Sequence, residues 1–312
     1  MNNILRIIFV GSQKIGYKCL EKAIQMGYDI PAIFTIKPDE HEKWDISVDL
    51  LAKKYGIPLF LDTEFNEQKI SKLKPDLILL AGFRSIIANE LLRTPKYGII
   101  GLHASLLPQY KGQAPLNWAI IKGEKNTGVT LFRMNERIDE GEILGQKETQ
   151  IDLNETIVEV KQRIIDLAVQ LLEENLPLIE KGMDNKITPI EKGSYGCRRI
   201  PADGLIDWKK PSLEIYNLIR ASEPSYAAFT FYNNKKIKIL RAKISEDEMK
   251  YIGVPGQIGM ILKDKSVVVI TGDGHLIITD VQQENEEPVK ASIIFRTSRI
   301  RLESLIHLGD SC

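Results

Sequence analysis

What this sequence lacks narrows its function before any motif is read. No stretch of its 312 residues approaches the roughly 20 apolar residues that a membrane-spanning helix needs, so no membrane role is expected. Cysteine is scarce: Cys19, Cys197 and Cys312 make neither a disulfide framework nor a metal-type or redox-type spacing. No metal site is expected, and so sparse and odd a count suits a reducing compartment. The first residues run straight into a strand-like segment with no signal-peptide pattern, so a cytoplasmic location is expected. Net charge is missing too: 42 Lys and Arg balance 42 Asp and Glu. That argues against a general nucleic-acid-binding face and leaves only a local one open. No internal repeat or low-complexity tract interrupts the chain.

What is present is ordinary globular material, 43% hydrophobic and 27% charged, enough for one large or two medium domains. Residues 4–10 (ILRIIFV) form a nearly continuous apolar run, the pattern of a strand buried on both faces. Gly11-Ser12 follows, then a helical pattern with Ile15, Cys19, Leu20, Ala23 and Ile24 on one face and Gly27 as the stop. Residues 30–35 read as the next strand, completing a βαβ unit. GSQKIG at 11–16 lacks the Gly-x-Gly-x-x-Gly pattern, so nicotinamide binding is not expected. Gly56-Ile57-Pro58-Leu59 leads into a brief strand; further strands are expected at 76–80 and 127–133, a polar surface loop at 36–46, and short helices at 48–55, 68–73, 87–92 and 114–122. A long helix from Asn154 to Ile179 carries apolar residues at the 3.6-residue period, with Asn154 as candidate N-cap.

Beyond residue 204 the pattern changes. One helix, 212–220, is followed by β-type runs at 228–232, 237–242, 256–261, 266–271 and 276–282, with Asn233-Asn234 and Gly272-Asp273-Gly274 as turns. Several short strands at this spacing indicate a small barrel or sandwich. The expected fold is therefore α/β: a Rossmann-like, mostly parallel domain over 1–190, a linker over 191–203, and a small β domain over 204–312.

Residues 99–146 concentrate the chemistry. His103 ends the apolar run Ile99-Ile100, a loop punctuated by Pro108, Gly112 and Pro115 follows, and Asp139 sits in the turn Ile138-Asp139-Glu140-Gly141. A strand-end histidine, a rigid loop and a turn carboxylate are the parts of a proton-transfer site. Ligands of open α/β sheets bind beyond the carboxyl ends of strands, so Gly82-Phe83-Arg84-Ser85-Ile86-Ile87 belongs on the edge that carries His103. Phe83, Ile86 and Ile87 supply apolar surface, and Arg84 a cation for a carboxylate or phosphate.

HASLLPQYKGQAPLNWAIIKGE, TGVTLFRM and DEG resemble the signature block of the folate-dependent formyltransferases. The words RIPADGLIDWKKPSLEIYNLIRASEP and GDGHLIITDVQ extend the resemblance over about residues 4–305. It implies an OB-like barrel as the second domain and transfer of a formyl group from 10-formyltetrahydrofolate to an amine. It implies that His103 engages the formyl oxygen and that Asp139, 139 − 103 = 36 residues later, pairs with the histidine. It places folate beside residues 82–87. Ser105 matches the motif serine and reads as a loop hydrogen-bonder. The family's asparagine, two residues before the histidine, is Gly101 here. Either another donor substitutes for it, with Asn117 as one candidate, or the chemistry has moved to hydrolysis of the formyl-folate, or the protein is a weakened relative. Two branches compete for the amine. Methionyl-tRNA formyltransferases share the length and two-domain plan but carry a basic loop after the second strand. Here that segment is IKPDEHEKWDI, more acidic than basic. The resemblance therefore favours the branch that formylates nucleotide-linked amino sugars such as UDP-4-amino-4-deoxy-arabinose, with tRNA the alternative and the oligomeric state open.

Overall fold

The computed structural model describes residues 4–37, 46–85, 87–190, 192–222, 226–245 and 249–303. The most apolar run becomes the buried centre of a seven-stranded sheet. It is β1, Ile7–Gly11, buried along its whole length. The first unit continues with α1 (Gln13–Gln25), β2 (Ile33–Thr35), α2 (Asp49–Tyr55), β3 (Leu59–Leu61), α3 (Glu67–Leu73) and β4 (Leu77–Ala81). Then come β5 (Ile99–His103), β6 (Lys111–Gly112), α4 (Pro115–Ile121), β7 (Asn126–Arg133), β8 (Ile143–Gln150), α5 (Ile157–Glu180) and β9 (Tyr195–Gly196). The sheet runs β3-β2-β1-β4-β5-β7-β8. β3 through β5 of that order pair in parallel, and β7 and β8 close the edge antiparallel. Gly27, with φ +84°, ends the turn after α1, a conformation that costs glycine little.

Four expectations need correction. The helix at 87–92 is a 3₁₀ turn over Asn89–Arg93. The long helix starts at Ile157, not beside Asn154. Thr156 precedes it, and both its N–H and its hydroxyl donate to the Glu159 carboxylate at 2.6 Å. Strand β8 was not expected at all. Tyr195–Gly196, within the expected linker, pairs in parallel with Lys111–Gly112. Most of the 36–46 loop lies outside the described residues. Along α5, Val160, Ile164, Leu171 and Leu172 are buried as their spacing requires, each contributing about 1.5–3 kcal/mol.

The second unit holds α6 (Ser212–Arg220), β10 (Phe229–Tyr232), β11 (Lys235–Ile244), β12 (Ile258–Ile261), β13 (Val267–Ile270), β14 (His275–Gln283), β15 (Val289–Lys290) and α7 (Ala291–Ile294). Its antiparallel sheet runs β10-β11-β14-β13-β12, with β15 against β14. Asn233 and Asn234 both have positive φ, 51° and 58°, as the tight turn between β10 and β11 demands. The two outer strands are each bridged by the segment after α7, through Gln257–Arg301 and Phe231–Glu303, which curls the sheet into a small barrel. Trp208 is the largest side chain of its core and donates its indole N–H to Thr230 Oγ1 at 2.9 Å.

The compact units do not follow a single cut. The first takes residues up to Pro115, Asn126–Gln150 and Lys161–Cys197; the second takes Leu116–Lys125, Ile151–Val160 and Arg198 onward. Among the described residues no helix is long and apolar enough to cross a membrane.

Candidate active site

His103 is the last residue of β5, and parallel pairing with β4 sets what lies beside it. Leu80 pairs with Gly101, so the same register brings Gly82 level with His103. Gly82 has φ +68°, and a Cβ there would fall 2.4 Å from the Ser12 carbonyl oxygen. The Ser12 hydroxyl donates to Gly82 O at 2.6 Å. The ends of β1 and β4 are thus drawn tightly together, which only glycine permits.

The His103 side chain is 10% exposed and that of Asp139 is 15% exposed. His103 Nε2 lies 2.8 Å from the Tyr110 carbonyl oxygen. A carbonyl only accepts, so Nε2 carries the hydrogen. Nδ1 then faces Asp139 Oδ2 at 3.5 Å, beyond a direct hydrogen bond but within ion-pair range. Asp139 Oδ2 also accepts the Gly112 N–H at 2.8 Å. Asp139 itself has φ +52°, a region a non-glycine residue enters at a cost. The pair is suited to taking a proton on Nδ1 and balancing the resulting imidazolium with the carboxylate. Each ring nitrogen of His103 thus has a protein partner, the Tyr110 carbonyl for Nε2 and the Asp139 carboxylate for Nδ1.

Gly101 is buried, with no positive φ, so its backbone would accept a side chain. What opposes one is Met134: a Cβ on Gly101 would lie 2.8 Å from Met134 Cε and 3.3 Å from the Phe132 ring. A thioether methyl stands where the motif expects an amide. Asn117 does not replace it. Its amide donates to Ala221 O at 2.8 Å, and it belongs to the second compact unit. Ser105 donates to Gln109 O at 2.6 Å and its carbonyl accepts from Thr130 Oγ1 at 2.7 Å, fixing the loop after β5. Of the 82–87 segment, Phe83 and Ile87 are half-buried against the sheet core, with Phe83 edge-on to Phe65. Arg84 and Ser85 are exposed, and Ser85 donates to Asp62 at 3.0 Å. Ile86 lies outside the described residues.

No periodicity or motif marks the residues behind Asp139. The Lys111 side chain is 4% exposed, with Nζ 2.6 Å from Glu140 Oε1. The Tyr195 hydroxyl donates to the same oxygen at 2.7 Å, and the ammonium lies 4.2 Å from the Tyr195 ring centroid. Burial works against the Lys111 charge, but its bonds to Glu140 and Tyr195 outweigh it and raise its pKa. The bond from Lys111, reinforced by Tyr195, pulls the Glu140 carboxyl down to about 2. A carboxyl held below its ordinary 4.5 stabilises the fold above that value and loses the contribution as pH falls toward 2. Wild type should therefore exceed Glu140→Gln in urea-unfolding stability near neutral pH, and the gap should close between pH 4.5 and 2. A gap independent of pH would contradict the pairing.

With this geometry in view, the chain matches known families over most of its length. Residues 5–176 match the model described as "Formyl transferase" and residues 199–299 that described as "Formyl transferase, C-terminal domain". A methionyl-tRNA formyltransferase of Alkaliphilus oremlandii is 35% identical over 291 residues, covering 89% of this chain and 92% of that one. The bifunctional polymyxin resistance protein ArnA of Wigglesworthia glossinidia brevipalpis is 38% identical over 311 residues, covering 97% of this chain and 46% of its own. Among solved structures, an N-formyltransferase from Helicobacter canadensis, in complex with folinic acid and dTDP-3-aminofucose, shares the fold with a TM-score of 0.72. It is 22% identical, with 90% of this chain and 100% of that one covered.

Proposed function

The chain belongs to the formyl transferase family, and from that premise we propose that it moves the formyl group of 10-formyltetrahydrofolate to the amine of a nucleotide-linked amino sugar. The observation that carries the choice of acceptor is the segment after β2. Residues 36–46 hold Lys37 and Lys43 against Asp39, Glu40, Glu42 and Asp45. An RNA acceptor is bound through Lys and Arg on phosphates, and this segment offers a net negative charge. ArnA at 38% identity and a methionyl-tRNA formyltransferase at 35% are similarly close, so the charge of this segment decides the choice, with a tRNA acceptor as the second reading.

Folate supplies the formyl carbon, with the backbone at Gly82 and the exposed sides of Phe83 and Ile87 as the segment that meets its pterin. The acceptor amine adds to that carbon, the bond from carbon to N10 breaks, and the amine proton leaves. His103, steadied by Asp139, takes that proton and passes it to N10 of the departing folate, which returns the pair to its starting state. Burial of the pair keeps water from competing for it.

The acceptor is tested by salt. With an amino-sugar nucleotide, turnover should change only modestly between about 50 and 200 mM salt, whereas RNA binding through several phosphates loses about 10³–10⁵-fold over that range. A steep loss, with charged initiator tRNA preferred over every amino sugar, would overturn the assignment.

A further inference from the structure

Three successive residues hold the candidate site from behind. Tyr110 offers its carbonyl to His103 Nε2 at 2.8 Å. Gly112 donates its N–H to Asp139 Oδ2 at 2.8 Å. Between them, Lys111 reaches Glu140 at 2.6 Å. This strip is itself anchored by the 194–196 segment: Ser194 Oγ accepts from Tyr110 N–H at 2.9 Å, Ser194 O accepts from Lys111 N–H at 2.8 Å, and Gly196 O accepts from Gln113 N–H at 2.9 Å. Gly112 has φ +88°, and a Cβ there would fall 2.7 Å from Gly196 O, so the approach of the two segments requires glycine.

From this geometry we infer that Lys111 is a positioning residue: through Glu140 and Tyr195 it holds Asp139, in its left-handed conformation, against His103. The inference rests on the reading of His103 and Asp139 as the proton-transfer pair. A residue at φ +52° stays there only when its surroundings over-determine it. The Gly112 N–H fixes its carboxylate, and the Lys111 ammonium fixes the residue that follows. Lys111 gains nothing from solvent in its buried place and is retained there by a carboxylate on the turn that carries Asp139. The other charged group on Glu140 is Arg137, at 3.5 Å and mostly exposed, which leaves Lys111 as the rigid tether.

The test must separate position from charge. The double variant Lys111→Met/Glu140→Gln removes one charge of each sign, so it leaves the net field at His103 nearly unchanged and removes the tether. The groups facing His103 remain the Asp139 carboxylate at Nδ1 and the Tyr110 carbonyl at Nε2. The readout is the pair of ring ¹⁵N shifts of His103, one of four histidines, which report its tautomer and hydrogen bonding, recorded by NMR of histidine-labelled protein and assigned by their loss in His103→Ala. Asp139→Asn sets the scale by replacing the carboxylate that faces Nδ1 and so moving the Nδ1 shift. The double variant should move it in the same direction by at least half as much. It should also cut kcat for formyl transfer about tenfold with the folate KM changed less than about twofold, as loss of geometry without loss of binding predicts. Tyr195→Phe removes one exposed hydroxyl and tolerates folding better; it should move the Nδ1 shift in the same direction by less. If Asp139→Asn moves the Nδ1 shift and turnover while both clamp variants stay at wild-type values, Lys111 has no positioning role. If Asp139→Asn itself moves neither, the proton-transfer pair is wrong, and this inference falls with it.

Discussion

His103→Ala should lower kcat for formyl transfer about 10²–10⁴-fold, the range a general acid–base group supplies, while leaving the KM for folate within about threefold, since a group that moves a proton contributes little to ground-state binding. The expectation follows from the ring's placement. One nitrogen is committed to the Tyr110 carbonyl, and the other faces Asp139. Among the described residues no second histidine ends a strand on that edge: His275 opens β14 in the other unit. Steady-state kinetics with the purified variant, checked for folding by its thermal transition, decides the matter. A variant within about tenfold of wild type would place the proton acceptor elsewhere, because even a weak general base exceeds that factor.

Much of this was legible in the sequence because it rested on period and position. The βαβ start, the buried strand at 76–80 and the strand ending in His103 each follow from a short apolar run bounded by turn residues. Helix α6 spans Ser212–Arg220 as its apolar stripe dictates. What was not legible depends on contacts across the chain. β8 alternates only after two buried residues, and its Lys147, Glu148 and Gln150 disguise a strand lying at the sheet edge. β9 is two residues long and has no period to detect. The burial of Lys111 requires knowing that Glu140 and Tyr195 converge on it. The occupation of the space before Gly101 by Met134 requires the register of β5 on β7, where Gly101 pairs with Phe132.

That last contact produces the second large expected effect. Gly101→Asn alone should not raise the transfer rate. Its side chain meets Met134 Cε and the Phe132 ring, and overpacking a core typically costs about 1–3 kcal/mol, to be read as a lower denaturant midpoint. Paired with Met134→Ala, the amide gains room beside His103, on the same face of the strand. A single oxyanion donor is worth about 10²–10³-fold in rate, so the double variant should exceed wild type in kcat by roughly the lower end of that range. The reason is that both ring nitrogens of His103 already have protein partners and Gly101 offers no amide. An unchanged kcat in a well-folded double variant would show that another donor already serves the oxygen.

The proposed reaction is transfer of a formyl group to an amino-sugar nucleotide through His103 and Asp139. The most direct test follows the carbon. 10-Formyltetrahydrofolate labelled with ¹³C in the formyl group is incubated with the enzyme and UDP-4-amino-4-deoxy-arabinose, and the products are separated and read by NMR. Label should appear in a new amide on the sugar nitrogen, at a rate abolished by His103→Ala. Label appearing only as free formate, or only on charged initiator tRNA when both acceptors are offered, would contradict it.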